Sequence, residues 1–446
     1  MSARCQAAAA VATLALVLGG CGGNSPTSAT TSTKRLEVVS WWTSGSESAA
    51  LDVLFAKFRA SNPGVDAING AVAGGAGSNA IVALAKRLQK DNPPDVWQTF
   101  AGKSVQGYAS RGDIRSVASI FDEEQLGTRM SPTILKSLMH DGRPYGVPTG
   151  AHRSNVLWFN KKVLHEAGVP PPSRGYAFPT FLADLGKVKA SGAVPLCLGG
   201  KDRFTKVELF ENTLLSSIGT SGWSDLVDHG LDWRSGSVRT ALKRFGTMLD
   251  LADPQASKLT WDQATRKLAA GGCAYESMND SAFGELQSAG AREGADFDGT
   301  AFPGTDGSFL AVVDVFVAAT KAENAKNALG FLSGIDEPST QLPFSRDKGA
   351  IPVVRDVDVS RLPRYQRASS RAFWTSPVLL SVAHGEALSP EFEEGFYDAV
   401  SSYARKRNAD KLRQRPRRRR LPGQGSPALI ERAETRLIHC ASPRGS

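Results

Sequence analysis

The segment from Arg35 to Phe58, RLEVVSWWTSGSESAALDVLFAKF, constrains this chain more than any other. Leu36 to Val39 is a short apolar run containing the β-branched pair Val38 and Val39, and it reads as a buried strand. The run stops at Ser40 and two adjacent tryptophans, Trp41 and Trp42, and the Gly/Ser turn Thr43 to Ser46 follows. Leu51, Leu54, Phe55 and Phe58 then recur at the i, i+3, i+4, i+7 spacing of an amphipathic helix, which Asn62-Pro63-Gly64 ends. Strand, turn and helix in this order suit an open α/β sheet, where ligands bind beyond the carboxyl ends of the strands. Two indoles and Glu47 stand at that edge. Neighbours on a strand face opposite sides, so one indole would serve the core, whereas a turn can present both. Core packing and a binding platform both stay open for the pair.

The rest of the body alternates strand and helix signals. GVDAINGAVA (Gly64 to Ala73) predicts a second strand, and Ile81, Leu84, Ala85 and Leu88 a second helix face. Asn92-Pro93-Pro94-Asp95 punctuates before a third strand from Val96 to Phe100. A strand from Ser154 to Phe159, a helix-rich stretch to about Pro303 and a buried strand from Leu310 to Ala319 follow. Such alternation predicts parallel sheets covered by helices. The return to a strand after the helical stretch predicts two lobes between which the chain crosses more than once. Trp158, on an apolar run, is assigned to the core.

The first 20 residues set the compartment. Arg4 and the apolar run Ala7 to Leu18 make an export signal, too short to span a membrane. Its end, LGGC, resembles a bacterial lipobox, which implies lipidation of Cys21 and attachment to the outer face of the cell membrane. The alternative is an ordinary secretory signal. Residues 21–35 are a polar, Gly/Ser/Thr-rich tether. The net charge of +9 belongs to the ends: the tail from Arg413 carries nine Arg against two Glu, and the body between Cys21 and Leu412 is near neutral. The basic balance therefore argues nothing about a nucleic-acid-binding body. Of five cysteines, Cys197 and Cys273 remain in the exported body. They point to a disulfide, with two buried free thiols as the alternative. Neither Cys nor His shows metal-ligand spacing, so no metal or cofactor is expected.

Several motifs carry a family resemblance across residues 36–407: SWW, NPGV, NPPDVWQ, GRPYGVPT, RSNVLWFNKKVLHEAGVPPP and AYESMNDSA. Together with the signal and LGGC they resemble the extracytoplasmic sugar-binding lipoproteins of ABC importers, and within these the glucose/galactose-binding proteins. The resemblance implies an α/β, two-lobe periplasmic-binding-protein-like clamp, each lobe a mostly parallel sheet flanked by helices. Lobe 1 would comprise residues 36–150 plus 310–355, and lobe 2 residues 151–309 plus 356–412. Residues 413–446 would form an Arg-rich disordered tail, either native or the product of a reading-frame error. A monosaccharide of the glucose type would sit between the lobes, and the partners would be importer permease subunits, with the protein itself a monomer.

Pyranose recognition needs aromatic rings against C–H-rich faces and planar amides or carboxylates on adjacent hydroxyls. The resemblance assigns Trp41, Trp42 and Glu47 to the cleft, then Gln98 at a strand end and His152 and Asn155 at the crossing. Trp261, Asn279 and Asp280 would come from lobe 2, joined by Asp314, Lys348 and His384. MNDSA departs from the family's usual M-G-D-W-A form, and residues 281–284 hold no tryptophan, only Phe283. Asp314 also stands out by itself, since a carboxylate inside VVDVFV needs a polar cleft or a partner. For His152, Lys348 and His384 the residues alone leave structural roles open. The Gly74-Gly75-Ala76-Gly77 loop lacks the GK[ST] of a phosphate cradle and reads as a turn at a strand end. Alternatives are an oligosaccharide or other polyol as cargo, an exported carbohydrate-active enzyme, and a polyanion-binding protein resting on Arg415 to Arg420 alone. No G-x-S-x-G, H-E-x-x-H or Cys-His signature supports catalysis, so the expectation is a binding protein and not an enzyme.

Overall fold

The computed structural model describes residues 34–73 and 77–414. The export signal, Cys21, nearly all of the tether, Gly74, Gly75, Ala76 and the tail from Arg415 lie outside the described residues. Among those described, no helix is long and apolar enough to cross a membrane.

Two sheets organise the body. The first runs, in spatial order, Val378–Leu380, Phe309–Ala318, Val96–Phe100, Arg35–Val39 and Asp66–Asn69, with Val147–Arg153 also pairing Phe309–Ala318. Arg35–Val39 pairs in parallel with both of its neighbours, as expected for strands joined through helices. Phe309–Ala318 is buried at all ten positions and forms the spine, antiparallel to Val96–Phe100 and to Val147–Arg153. Its register slips between Asp314 and Val315, a bulge that bends the pairing where Asp314 meets Gly150. Helix Gly45–Ser61 buries Ala50, Leu51, Leu54, Phe55 and Phe58 on the first core, each of the Leu and Phe side chains contributing about 1.5–3 kcal/mol if fully buried. The Asn62 side-chain amide donates to the Phe58 carbonyl and closes that helix.

The second sheet has the order Phe297–Ala301, Val156–Asn160, Tyr275–Ser277, Leu196–Cys197. Only Leu196–Cys197 and Tyr275–Ser277 run in parallel, and the other two pairings are antiparallel. This corrects the expectation of mostly parallel strands in the second lobe. A parallel pair needs a long crossover. Here the helices Arg203–Val227, Gly236–Leu251 and Trp261–Ala269 supply one, between Leu196–Cys197 and Tyr275–Ser277. Cys197 and Cys273 are joined as a disulfide beside this pair.

The chain passes between the sheets at residues 153–156, 301–309 and 380–382. Residues 356–380 depart in most of their length from the expected lobe-2 assignment, though Tyr365 packs with Trp158 and Phe283 of the second lobe. Val357, Leu362 and Phe373 pack in the first core, and Val378–Leu380 is an edge strand of the first sheet. Membership of the second core resumes at Val382 and continues along Pro390–Gln414.

Candidate functional site

Where the two sheets meet, charged side chains are buried together. His152 lies at the end of Val147–Arg153, on the strand that leaves the first sheet. Its Nδ1 is 2.5 Å from Asp280 Oδ1, and its Nε2 is 3.3 Å from Asp314 Oδ2. Lys348 ends helix Pro338–Lys348 and sends Nζ to within 3.2 Å of His152 Nε2. The same ammonium donates to Ser281 Oγ at 2.9 Å and to Glu47 Oε1 at 3.3 Å. Three carboxylates thus surround one ammonium and one imidazole, all out of water. Burial and the Lys348 charge disfavour the His152 cation, but the flanking carboxylates outweigh them and its pKa is raised. Burial alone would raise Asp314, and the His152 and Lys348 contacts pull it below its ordinary value instead. Glu47 is raised, chiefly by burial.

Gln98 extends the network into the first sheet. Its Nε2 donates to Asp314 Oδ1 at 2.9 Å, and its Oε1 accepts the Trp41 N–H at 3.3 Å. Rings run alongside. Half-buried Trp41 lies 5.1 Å from Phe100, Phe100 lies 5.3 Å from His384, and His384 lies 5.7 Å from Phe204. Gly77 (φ +99°) presses its backbone on the Trp41 ring, where a Cβ would approach to 3.0 Å. The row joins the end of a first-sheet strand to the first turn of helix Arg203–Val227.

Other expected site residues serve the scaffold. Trp42 is 1% exposed, packs against Phe316 and Phe344 in the first core, and carries the Lys348 ammonium over its ring at 5.2 Å. Of the two indoles assigned to the cleft, Trp42 is turned into the core and Trp41 alone stays half-open, because adjacent residues at a strand end face opposite ways. Trp261 packs in a cluster with Trp158 and Phe283, and its backbone N–H donates to Asp202 Oδ2 at 2.8 Å. Asn155 is fully buried and ties the crossings. Its Oδ1 accepts the Leu310 N–H at 2.9 Å, and its Nδ2 donates to Thr305 Oγ1 at 2.9 Å. Asn279 donates to Glu208 Oε2 at 2.9 Å and accepts the Ser281 N–H at 3.0 Å, which orders the turn carrying Asp280. His384 meets Ser381 Oγ through Nδ1 at 3.0 Å, and burial lowers its pKa to about 3, so it is a neutral ring. Phe283 stacks on Tyr365 in the core.

Phe100, Phe204, Ser281, Glu208 and Glu211 escaped the sequence reading. Each belongs to an otherwise ordinary strand or helix, and a polar residue amid apolar neighbours, as at Glu208 and Glu211 in KVELFENTLL, was the one available signal. Among the described residues no group of three or more His, Cys, Asp or Glu side chains is arranged to hold a metal ion. A separate depression of about 480 Å³, lined by Phe121, Asp122, Leu135, Met139 and Arg143 among others, contains none of the charged cluster. The buried cluster and its ring row are suited to holding a neutral polyol, with charge-assisted hydrogen bonds to hydroxyls and flat apolar contacts to C–H faces.

Comparisons with known proteins point the same way. An ABC transporter extracellular-binding protein of Pyrococcus horikoshii is 27% identical over 405 residues, covering 89% of this chain and 91% of its own. A probable sugar-binding periplasmic protein of Mesorhizobium japonicum is 29% identical over 379 residues, covering 83% and 89%. Among solved structures, the bacterial solute receptor AcbH, described as preferring β-D-galactopyranose exclusively, superposes with a TM-score of 0.75. It is 17% identical and covers 90% of this chain and 97% of its own, a likeness of fold. The family model for bacterial extracellular solute-binding proteins matches residues 42–333, and the chain belongs to that family.

Proposed function

We propose that this chain captures a monosaccharide of the glucose type between its two lobes and delivers it to the permease subunits of an ABC importer. The observation that carries the reading is the pairing of the buried Glu47–Lys348–His152–Asp314 cluster with the row Trp41, Phe100, His384 and Phe204. Hydroxyls would replace the cluster's internal hydrogen bonds, and the half-buried Trp41 and Phe100 rings would take a pyranose face. The sugar-binding description of the Mesorhizobium relative and the galactopyranose preference of AcbH support the cargo class. Contacts from both lobes favour closure, and closure is the signal an importer reads. The family is one of exported proteins. A lipid on Cys21 would hold this one at the outer face of the membrane, as a monomer.

The test is tryptophan fluorescence of the purified protein titrated with glucose, galactose, xylose, maltose and chitobiose. We expect a saturable change with a monosaccharide at micromolar concentration or below, abolished in Trp41→Ala and Glu47→Ala. Saturation by maltose or chitobiose alone would replace the monosaccharide with an oligosaccharide. Silence with all five would end the sugar reading.

A further inference from the structure

Helix Ser281–Ser288, SAFGELQS, has two faces with different partners. Ala282, Phe283 and Leu286 pack in a second-lobe cluster with Trp158 and Phe297. The other face, residues 281, 284, 285 and 288, repeats at helical spacing and lies against elements of the first lobe. Ser281 Oγ accepts from Lys348. A Cβ on Gly284 would come within 2.8 Å of the Asp347 carbonyl oxygen and 2.9 Å of that of Lys348. A Cβ on Gly45 would stand 2.9 Å from Ser288 Oγ, and one on Gly349 would collide with the Asp280 carbonyl. Gly284 and Gly349 therefore let backbone meet backbone along this seam, and Gly45 lets the Ser288 hydroxyl approach the first-lobe helix.

Glu285 is the polar centre of the seam. Its Oε1 accepts both the Ser46 N–H at 3.2 Å and the Ser46 Oγ–H at 2.9 Å, across 239 residues of chain. Arg266, from a neighbouring second-lobe helix, donates to its Oε2 at 2.9 Å and fixes the carboxylate in place. Ser46 belongs to the first turn of helix Gly45–Ser61, whose amides have no partners within the helix. The preceding Ser44 makes no side-chain cap, and its hydroxyl donates to Glu47 instead. The second lobe thus supplies the missing cap, where a carboxylate also suits the positive end of the helix.

We infer that Glu285 is a positioning residue that latches the lobes: it caps the first-lobe helix and thereby sets the adjacent Glu47 for the cargo. The inference rests on the sugar-binding reading for its consequence but not for its geometry. When the lobes part, the Ser46 amide loses its acceptor and Glu47 loses a fixed base. When they meet, the cap forms together with the Lys348–Ser281 contact one helical turn away, so cleft assembly and closure are coupled.

The test uses the full chain, with glucose, galactose and xylose as probes. Glu285→Ala should raise the small-angle scattering radius of the sugar-free protein and weaken binding of the saturating sugar roughly tenfold, the scale of a lost cap. Glu285→Gln keeps a neutral acceptor for Ser46 and should restore most of both. Gly284→Ala, a wedge on the seam face that leaves the core face untouched, should also expand the protein at an unchanged melting temperature. It decides the question should Glu285→Ala fold poorly. Unchanged scattering and unchanged affinity in Glu285→Ala, or unchanged scattering in Gly284→Ala, would overturn the latch. If the wild type binds none of the sugars, the cargo reading fails, while sugar-free scattering still judges the latch.

Discussion

Trp41 and Trp42 are neighbours in sequence and opposites in environment. The pleat at the end of Arg35–Val39 turns the Trp42 ring into the first core and leaves the Trp41 ring half-buried against Phe100. Trp42 also accepts a cation over its face, a contact worth about 2 kcal/mol when desolvated. Trp42→Ala should therefore cost about 3–5 kcal/mol in urea unfolding. Trp41→Ala should change stability by under about 1 kcal/mol. Equal losses for the two would contradict the division of roles. The motif showed that indoles stand at the strand's carboxyl end, since an apolar run stopping at a turn is a local signal. It did not show which ring points inward, because that is fixed by strands distant in sequence. Asp314 was more legible: its neighbours Val312, Val313, Val315 and Val317 declare a buried strand, so its charge demanded the partners found in His152 and Gln98. Asn155 misled for the converse reason. Its motif sits at the crossing, but its side chain spends its hydrogen bonds on the crossing backbone, Thr305 and the Arg153 side chain.

At the scale of elements, continuous apolar runs read well and strand partnership read poorly. LAVVDVFVAA sets its own strand, observed one residue earlier at Phe309–Ala318, because ten buried positions leave no polar face to mistake. The antiparallel pairing of Val156–Asn160 with Tyr275–Ser277 depends on segments more than a hundred residues apart and has no local signature. The Cys197–Cys273 bridge fastens the one parallel pair of that sheet, across the long helical crossover. Its sequence separation of 76 residues corresponds to roughly 4 kcal/mol of loop-closure entropy removed from the unfolded chain. Reduction, or replacement of both cysteines by serine, should lower stability by about that amount in thermal and urea melts, with the lobe-1 mutants above unaffected by the change. A melt indifferent to reductant would show that the helical crossover closes this loop unaided.

Across the whole molecule, buried carboxyls gather around the crossings, and they give the fold a pH dependence of definite sign. Glu211, from helix Arg203–Val227, accepts from Ser154 Oγ at one crossing and from Ser381 Oγ and the Val382 and Ala383 amides at another. Asn155 ties the third to the first. Burial raises Glu211 to about 7 and Glu276 to about 8, and it holds Glu208 and Glu386 well above the ordinary carboxyl value. Among the described residues Glu276 Oε2 and Glu386 Oε2 have no hydrogen-bond partner, which costs a neutral carboxyl less than a carboxylate. In the unfolded chain these groups lose protons near pH 4.3. Between about pH 5 and pH 8 the folded state therefore binds more protons, and its stability falls as pH rises. His152, raised between its carboxylates, acts in the same direction: its contribution is full below about pH 6.5 and fades as pH climbs through its folded pKa. His384, lowered to about 3, opposes them only below about pH 6.5, where the unfolded chain takes up a proton that the folded ring refuses. Glu47, Glu393 and Asp336, also raised by burial, act with these carboxyls, and together they outweigh the one lowered imidazole. Urea unfolding should give lower stability at pH 8 than at pH 6, and Glu276→Gln should flatten the slope by up to about 1.4 kcal/mol per pH unit. A stability that climbs from pH 6 to pH 8 would mean that these carboxyls are ionised in the fold and that the crossings are held by charge.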